Sequence, residues 1–366
     1  MKSTRSVRIF TGISIGILSI SGISALAFTT VTASIEKIDA FAGLDKRPEK
    51  KSSAVNYLLV GSDTREGLTR AEQKELRVGS VKTAAGKRSD TMLLVHISKA
   101  RDKAVLVSIP RDSFALIPEH TNAQGKIIPA TYSKINSSFN WGGAPLLIKT
   151  LEQMTNLKID HYVEINFVGF ARMVDSLGGI EVCTKKDIDD PKSHLVLPAG
   201  VHTLNGIEAL KYVRTREFDG MGDIGRMQRQ QAFISSVVKK ATSMGVLLNP
   251  ITMTNFINST LDAVTTDGEL RSTDMIALAK QLKSLSASNV RTLTVPLKNL
   301  NYYSNGVTAS VLWDPVLAPE LWDRLREDRA VVDEVIPSPS PSATKNEEPK
   351  IIDKFKTRTA ADNICR

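Results

Sequence analysis

The stretch Arg88-Ser-Asp-Thr-Met-Leu-Leu-Val-His-Ile-Ser-Lys-Ala-Arg-Asp-Lys-Ala-Val-Leu-Val-Ser-Ile-Pro-Arg-Asp112 decides the fold. It contains two short apolar runs, Thr91–Ile97 and Ala104–Ile109, with the length and composition of buried strands. Only the charged segment 98–103 separates them. The two runs are therefore predicted to form an antiparallel hairpin.

This hairpin would bring charged residues to one edge of a sheet. Arg88 and Asp90 immediately precede its first strand, and Arg111 follows its second strand. A third apolar run, Asn56–Val60, is followed closely by Asp63. If this strand lies antiparallel to the first strand of the hairpin, Asp63 meets the other three residues at the same edge.

The rest of the chain predicts a mixed α/β fold, with a central sheet flanked by helices in a single domain. Helices are expected at residues 145–157, 168–177, about 225–243 and 273–285, and strands at 162–167, 180–183 and 290–295. Arg214-Thr-Arg216 is expected on a strand, and the loop after it is rich in glycine and aspartate. Arg226 and Gln230 then share one face of the helix beyond that loop.

The N-terminal segment predicts export. Lys2, Arg5 and Arg8 precede an uncharged run from Ile9 to Ser34, which is long enough to cross a bilayer with the N-terminus in the cytoplasm. A cleaved signal peptide is the alternative, because Ala25-Leu-Ala27 fits a cleavage site. The predicted organisation is a cytoplasmic tail (1–8), a transmembrane anchor (9–34), a spacer (35–53), a catalytic domain (54–335) and a disordered Pro/Ser-rich tail (336–366).

Composition narrows the classes of function. The 366 residues carry a net charge of +9, which in an exported protein favours anionic lipid, phosphate-linked or wall-polymer partners. Nucleic acid is not expected, because the chain is exported and has no helix-turn-helix signature. The two cysteines, Cys183 and Cys365, either form one disulfide or stay as thiols. The five histidines lack the spacing of a zinc site.

The arginines and aspartates together indicate a site that handles polyphosphate. Arginine binds phosphate oxygens through two parallel hydrogen bonds, and two carboxylates beside it hold a divalent cation. Each element alone also has an ordinary explanation, such as a solvated face for Arg214 and Arg216 or a turn for Asp63.

Seven stretches resemble the LytR-CpsA-Psr family of bacterial cell-wall glycopolymer transferases. They are NYLLVGSDTR, RSDTMLLVHI, VSIPRDSF, YSKINSSFNWGG, FVGFARMVDSLGGIEV, LNGIEALKYVRTRE and GDIGRMQRQQAF, which occur in the family's usual order between residues 56 and 233. The resemblance implies Mg²⁺-dependent transfer of an anionic glycopolymer from a polyprenyl-pyrophosphate carrier to a peptidoglycan hydroxyl. It also implies a single-pass cell-membrane protein with an extracytoplasmic catalytic domain.

The resemblance assigns roles to individual residues. It implies Asp63 and Asp90 as the metal-associated carboxylates, and Arg88, Asp90, Arg111 and Arg216 as the catalytic set. It implies that the pyrophosphate contacts are Arg88, Arg111, Lys134, Arg214, Arg216, Asp223, Arg226 and Gln230.

Two alternatives to the transferase stay open at this stage. A pyrophosphatase would use water as the acceptor in place of a sugar hydroxyl. A non-catalytic wall-polymer-binding protein would tolerate the loss of Asp63 and Asp90.

Overall fold

The computed structural model describes residues 36–62, 89–122, 124–217, 219–220, 222–241, 243, 264–271, 274, 285–335 and 350–362. The strands in these ranges are β1 (Glu36–Ile38), β2 (Val55–Ser62), β3 (Ser89–Ile97), β4 (Ala104–Ile109), β5 (Phe114–Ile117), β6 (His120–Thr121), β7 (Ile127–Ile128), β8 (Thr131–Lys134), β9 (His161–Ile165), β10 (Ile180–Thr184), β11 (Ile188–Asp190), β12 (Leu195–Leu197), β13 (Gly200–Leu204), β14 (Val264–Asp267), β15 (Val290–Thr294), β16 (Leu297–Ser304), β17 (Val307–Trp313), β18 (Asp333–Val335), β19 (Lys350–Ile352) and β20 (Arg358–Thr359). The helices are α1 (Ile135–Thr155), α2 (Phe167–Ser176), α3 (Gly206–Arg214), α4 (Gly222–Ala241) and α5 (Leu317–Arg326).

Eight of the described strands form one sheet in the order β1-β14-β9-β2-β3-β4-β15-β20. β3 and β4 pair antiparallel, with Met92 opposite Ile109 and Ile97 opposite Ala104, which confirms the predicted hairpin. β2 pairs antiparallel with β3, as assumed from the sequence, and parallel with β9. β15 lies parallel to β4 on the other side. The predicted mixed sheet flanked by helices is confirmed.

Both faces of this sheet are covered by helices. Leu58 and Val107 belong to the largest buried cluster, together with Trp322 of α5 and residues of α1. On the opposite face, Leu93 packs in a cluster that includes Ile234 of α4. Strand side chains alternate between faces, so adjacent apolar residues such as those of β3 can bury into two different layers. Each fully buried aliphatic side chain contributes about 1.5–3 kcal/mol of transfer free energy.

A second cluster lies outside the central sheet. It joins α2, α3 and α4 to the small strand pairs β10–β13 and β11–β12, with Val174, Tyr212 and Phe233 at its centre. α4 therefore contacts two units at once, because it also packs on the central sheet.

Helix α1 begins earlier than the sequence predicts. The expected start was near Pro145, after the glycine pair, but the helix runs from Ile135 to Thr155 with a kink. Gly143 adopts φ 64° and ψ −154°, a conformation that only glycine reaches without strain, and the helix resumes with Pro145 in its first turn. The glycine and proline thus mark a bend inside one helix.

The expectation of a strand through Arg214-Thr-Arg216 is wrong. Residues Gly206–Arg214 form helix α3, which starts with a capping box between Asn205 and Glu208. Thr215 is the C-cap residue, so Arg214 ends a helix and Arg216 lies just beyond it.

The two flanking segments predicted to be unstructured contribute to the fold in part. In the predicted spacer, Glu36–Ile38 pair parallel with β14 and Ala40 is fully buried. In the predicted disordered tail, β20 pairs with β15, and Phe355 packs into the largest core cluster. A few apolar residues in a polar segment suffice for docking when a sheet edge offers unpaired backbone groups.

The sequence left the state of the cysteines open. Cys183, on β10, is disulfide-bonded in the structure. The chain contains only one other cysteine, Cys365, which lies outside the described residues.

The predicted membrane anchor, residues 9–34, also lies outside the described residues, as do residues 273 and 275–284 of the helix predicted over 273–285. Among the helices that the structure describes, none combines the length and the apolar character needed to cross a bilayer.

The docking of the C-terminal segment predicts a stability effect. Phe355→Ala should lower the free energy of unfolding by about 3 kcal/mol, because it removes a 6% exposed aromatic ring from the core. Ile352→Ala, in the same segment but 42% exposed, is the matched control and should cost less than about 1 kcal/mol. Urea denaturation measures both. Equal stability of the Phe355 variant and the parent protein would contradict the docking.

Candidate functional site

Several strands end at one edge of the central sheet, which we call the site edge. β2 ends at Ser62, whose cross-strand partner Ser89 begins β3. β4 ends at Ile109, which pairs with Met92 near the start of β3. β15 ends at Thr294, beside Ser108 of β4. The segments that follow β2 and β4 and the one that precedes β3 therefore meet here, as the hairpin predicted.

The β2–β3 pairing is irregular at Asp90. Gly61 pairs with Thr91, whereas Ser62 pairs with Ser89, so Asp90 is the extra residue of a β-bulge. Bulges change the direction of the strand locally and are common beside functional sites. Gly61 itself has little room, because an added Cβ would come within 3.2 Å of the Thr91 Cβ.

Arg111 and Lys134 share one carboxylate at this edge. The Arg111 Nε lies 3.5 Å from Asp112 Oδ2, and the Lys134 Nζ lies 3.3 Å from Asp112 Oδ1. All three side chains are partly exposed, between 22% and 31%. Asp112 thus holds two cationic side chains beside each other, and such a pair of cations suits an anionic ligand.

Backbone hydrogen bonds hold these two cations together. The Ile135 N–H, at the start of α1, donates to the Ser113 carbonyl at 2.8 Å. The next amide, of Asn136, donates to the Arg111 carbonyl at 3.1 Å. The loop after β4 is therefore fixed against the N-terminus of α1, directly after Lys134.

Arg214 reaches the site edge through an aromatic contact. β9 lies parallel to β2 and ends beside it, with Ile165 opposite Gly61. Phe167 follows immediately as the first residue of α2, and the Arg214 guanidinium carbon lies 5.1 Å from its ring centroid. This cation–π geometry places the end of α3 next to the end of β9.

Arg216 is held by a buried carboxylate. Asp190 is 1% exposed, and its Oδ2 accepts the backbone N–H groups of Arg216 at 2.5 Å and Glu217 at 2.8 Å. Its Oδ1 accepts those of Lys192 at 2.8 Å and Ser193 at 2.9 Å. Burial alone would raise the pKa of Asp190, but the four backbone donors outweigh it and hold the pKa below its usual value.

Two residues of α4 fasten the same segment from the other side. Arg229 donates from Nη2 to the Thr215 carbonyl at 2.6 Å and from Nη1 to Asp219 Oδ2 at 2.5 Å. Gln230 donates from Nε2 to the Val213 carbonyl at 3.1 Å. The backbone from 213 to 217 is thus bonded on both sides, and Thr215 between the two arginines is fully buried.

α4 itself is tied to the site edge. Its Gln231 donates from Nε2 to Thr294 Oγ1 at 2.7 Å, at the end of β15. Arg226, one turn earlier, is 3% exposed. The segment carrying Arg214 and Arg216 is therefore connected to the site edge at two points, to the end of β9 through Phe167 and to the end of β15 through α4.

The structure brings some of the predicted site residues together. Arg111 lies with Lys134, and Arg214 and Arg216 lie with Gln230. Asp63 and Arg88 lie outside the described residues, as do the side chains of Asp90 and Asp223.

The side chains of the two predicted metal ligands, Asp63 and Asp90, lie outside the described residues. No cluster of three or more His, Cys, Asp or Glu side chains that could hold a metal occurs among the described residues. Mg²⁺ does not need one, because it is commonly held by one or two carboxylates together with substrate phosphates. Ser62 and Ser89 are paired, so the chain positions next to Asp63 and Asp90 are adjacent.

Two supporting residues were missed by sequence reasoning. Asp190 and Arg229 touch the Arg214–Arg216 segment but carry no motif of their own. Arg229 does fall in the predicted α4 between Arg226 and Gln230, so helical spacing alone could have suggested it. Nothing in the sequence links Asp190 to residues 26 positions away, because only the tertiary fold brings them together.

The amino-acid sequence is similar to those of known bacterial cell-wall proteins. LcpB of Corynebacterium glutamicum, a probable cell wall biosynthesis protein, is 35% identical over 275 residues, covering 75% of this chain and 62% of LcpB. TagT of Bacillus subtilis, a polyisoprenyl-teichoic acid–peptidoglycan teichoic acid transferase, is 36% identical over 203 residues, covering 54% of this chain and 55% of TagT. The chain thus spans less than two thirds of the length of either relative.

The fold is also similar to that of a solved structure. The solved structure of a LytR-Csp2A-Psr enzyme from Actinomyces oris superimposes with a TM-score of 0.56 at 20% identity, covering 80% of this chain and 95% of that one. The family model of the LytR_cpsA_psr family matches residues 24–318, which include every described part of the site. With that match across most of its length, the chain belongs to the LytR-CpsA-Psr family.

Proposed function

We propose that this protein is a phosphotransferase that moves an anionic glycopolymer from a polyprenyl-pyrophosphate carrier to a peptidoglycan hydroxyl. The observation that carries the proposal is the convergence of two cationic groups, Arg111 with Lys134 and Arg214 with Arg216, on one sheet edge. The similarity to TagT, which is named for a transfer of this kind, supports it.

The arginines suit the charge of a pyrophosphate. A guanidinium stays protonated at any working pH and donates two parallel hydrogen bonds to phosphate oxygens. Phosphoryl transfer depends mainly on positioning and on stabilising the charge that spreads over these oxygens. Donors that are already fixed need no reorganisation when the reaction occurs. The backbone hydrogen bonds around Arg111 and Arg216 give such fixation.

The proposed reaction exchanges one P–O bond for another. The acceptor hydroxyl oxygen attacks the phosphorus atom that bears the glycopolymer, and the bond from that phosphorus to the bridging oxygen breaks. Polyprenyl phosphate leaves with the electron pair, and the hydroxyl proton passes to a base. Arg111, Lys134 and Arg216 would bind the phosphate oxygens throughout and stabilise the leaving group.

Magnesium is part of the proposal. Asp63 and Asp90 would hold it, and when bound it would neutralise phosphate charge that repels the incoming hydroxyl. The remaining proposed pyrophosphate contacts are Arg88, Arg214, Asp223, Arg226 and Gln230.

The proposed location is the outer face of the cytoplasmic membrane. Residues 9–34 would anchor the chain there, with the basic residues Lys2, Arg5 and Arg8 on the cytoplasmic side. A polyprenyl carrier is itself a membrane lipid, so an anchored domain meets its donor at the bilayer surface.

The first prediction concerns Arg216. Arg216→Lys should reduce turnover by about tenfold or more, equal to roughly 1.4 kcal/mol of transition-state stabilisation, because lysine keeps the charge but loses the planar fork. Affinity for the carrier should change less. Steady-state transfer to peptidoglycan, measured beside carrier binding, tests this.

Arg271→Lys is the control for this substitution, because Arg271 is exposed and pairs only locally with Asp274. It should leave transfer unchanged. A loss of carrier affinity with intact turnover in the Arg216 variant would favour a binding protein instead. Release of polyprenyl phosphate by the parent protein without a sugar acceptor would favour a pyrophosphatase.

The second prediction concerns Asp190 as a positioning residue. Asp190→Asn replaces one acceptor oxygen by an amide, so at least one of the four backbone donors loses its partner, at a cost of about 2 kcal/mol in unfolding free energy. Turnover should fall more than carrier affinity. The substitution displaces Arg216 but does not remove it, so its charge still attracts the carrier while its guanidinium no longer fits the transition state. Asp189→Asn, the exposed neighbour on β11, is the matched control and should behave like the parent.

The same residue predicts a pH dependence of stability. The folded-state pKa of Asp190 lies below its unfolded value of about 3.9. Its contribution is therefore present above about pH 4 and is lost as the pH falls through the folded-state pKa. As the pH is lowered from neutral to acid, the free energy of unfolding should fall less steeply in Asp190→Asn than in the parent protein. Identical acid profiles would contradict the role of the carboxylate.

The third prediction concerns the metal. Asp63→Ala or Asp90→Ala should abolish Mg²⁺-dependent release of polyprenyl phosphate, because the remaining carboxylate would hold the cation poorly. Glu181→Ala, an exposed carboxylate on β10, is the control. Circular dichroism verifies folding. Full activity of both Asp variants would remove the support for a metal held by this pair.

A further inference from the structure

Three aromatic rings lie together beside the cations of the site edge. Phe114 stacks on Tyr132 with ring centroids 5.0 Å apart and planes 7° from parallel. Tyr302 meets Phe114 edge-on at 5.2 Å and 78°. Tyr132 is 43% exposed, and the other two rings are half-buried. We call Phe114, Tyr132 and Tyr302 the aromatic platform.

The register of β5 and β8 places the platform next to Lys134. Phe114 pairs with Lys134, and Leu116 pairs with Tyr132, so these four side chains lie on one face of the strand pair. Ala115, between Phe114 and Leu116, is buried on the other face in the core. Tyr132 and Lys134 are two residues apart on one strand, roughly 7 Å.

Hydrogen bonds fix the platform in place. Trp313 donates from Nε1 to Ser113 Oγ at 2.9 Å, and Ser113 donates from Oγ to the Pro110 carbonyl at 2.7 Å. The Val311 N–H donates to the Asp112 carbonyl at 2.8 Å. The β16–β17 pair, which carries Tyr302, is thereby attached to the loop that carries Arg111. The rings and the cations belong to one rigid unit.

We propose that the aromatic platform binds a pyranose ring of the neutral glycan strand that accepts the transferred phosphate. This inference rests on the proposed function, which requires a sugar hydroxyl beside the bound phosphate. The face of an aromatic ring is electron-rich, and one face of a pyranose presents C–H groups that pack against it. Ligand sites combine such apolar contacts with a few polar groups that fix orientation.

The chemistry of the platform favours the acceptor strand over the other components of the reaction. The three rings are uncharged, which suits a neutral glycan better than an anionic polymer. The two phenolic hydroxyls are hydrogen-bonding groups, which a hydrocarbon chain cannot satisfy. Tyr132 is also open to solvent, as a site needs to be if it binds a long strand from outside and releases it after each transfer.

The test measures binding of the neutral N-acetylglucosamine tetramer to the full chain by NMR titration. Tyr132→Ala should raise the dissociation constant about fivefold, because it removes the stacking surface. Tyr132→Phe keeps the stacking ring and loses one hydroxyl, so its dissociation constant should rise less than that of Tyr132→Ala. Tyr303→Ala is the matched control, because this tyrosine follows Tyr302 on β16 and is 59% exposed.

Three outcomes would overturn the proposal. One is an unchanged dissociation constant in Tyr132→Ala, and another is an equal loss in Tyr303→Ala. The third is a loss confined to the polymer-loaded carrier or to polyprenyl phosphate alone, which would assign the platform to the donor or to the lipid. These outcomes differ from a failure of the proposed function. In that case the parent protein would still bind the tetramer, and Tyr132→Ala would still weaken binding, but the parent would transfer no glycopolymer.

Discussion

In the centre of the sheet, β3 hydrogen-bonds to β2 on one side and to β4 on the other, and this pairing fixes where the charged segments after β2, before β3 and after β4 begin. The antiparallel arrangement brings the ends of β2 and β4 to the start of β3. A shift by one residue would turn the apolar side chains of β3 away from the layers that cover them. The register is therefore set by burial on both faces, and the site inherits its position from the core.

The path of the chain around Arg216 depends on one buried carboxylate, Asp190. Asp190 uses both carboxylate oxygens to accept backbone N–H groups around Arg216. A buried carboxylate needs such hydrogen bonds to stay ionised, and the lowered pKa follows from them. The charge of Asp190 thus organises the path of the chain around Arg216.

Helix α4 connects the two parts of the molecule that form the site. One of its faces packs on the central sheet through Ile234 and Val238. Arg229 and Gln230 bond to the backbone after α3, and Gln231 bonds to the end of β15. The position of Arg214 and Arg216 relative to Arg111 consequently depends on how this helix packs. A substitution in its buried face would change the site without touching any phosphate contact.

The sequence by itself determined the central hairpin, the mixed α/β fold, the family and the edge at which the charged motifs meet. These features depend on local apolar runs and on one short turn, which are readable along the chain. The sequence did not determine that Gly143 bends a helix rather than preceding it, or that Arg214 ends a helix. Both depend on packing that overrides local signals.

Only the tertiary structure decided which residues hold the site and the core in place. The bond from Asp190 to Arg216 and the docking of Phe355 join residues far apart in the chain. Neither leaves a periodic or motif-like signal, because a buried carboxylate and a lone phenylalanine look ordinary until their partners are known. Local motifs supply the residue types that the chemistry of the site needs. The contacts that hold those residues in place are long-range and exist only in the folded chain.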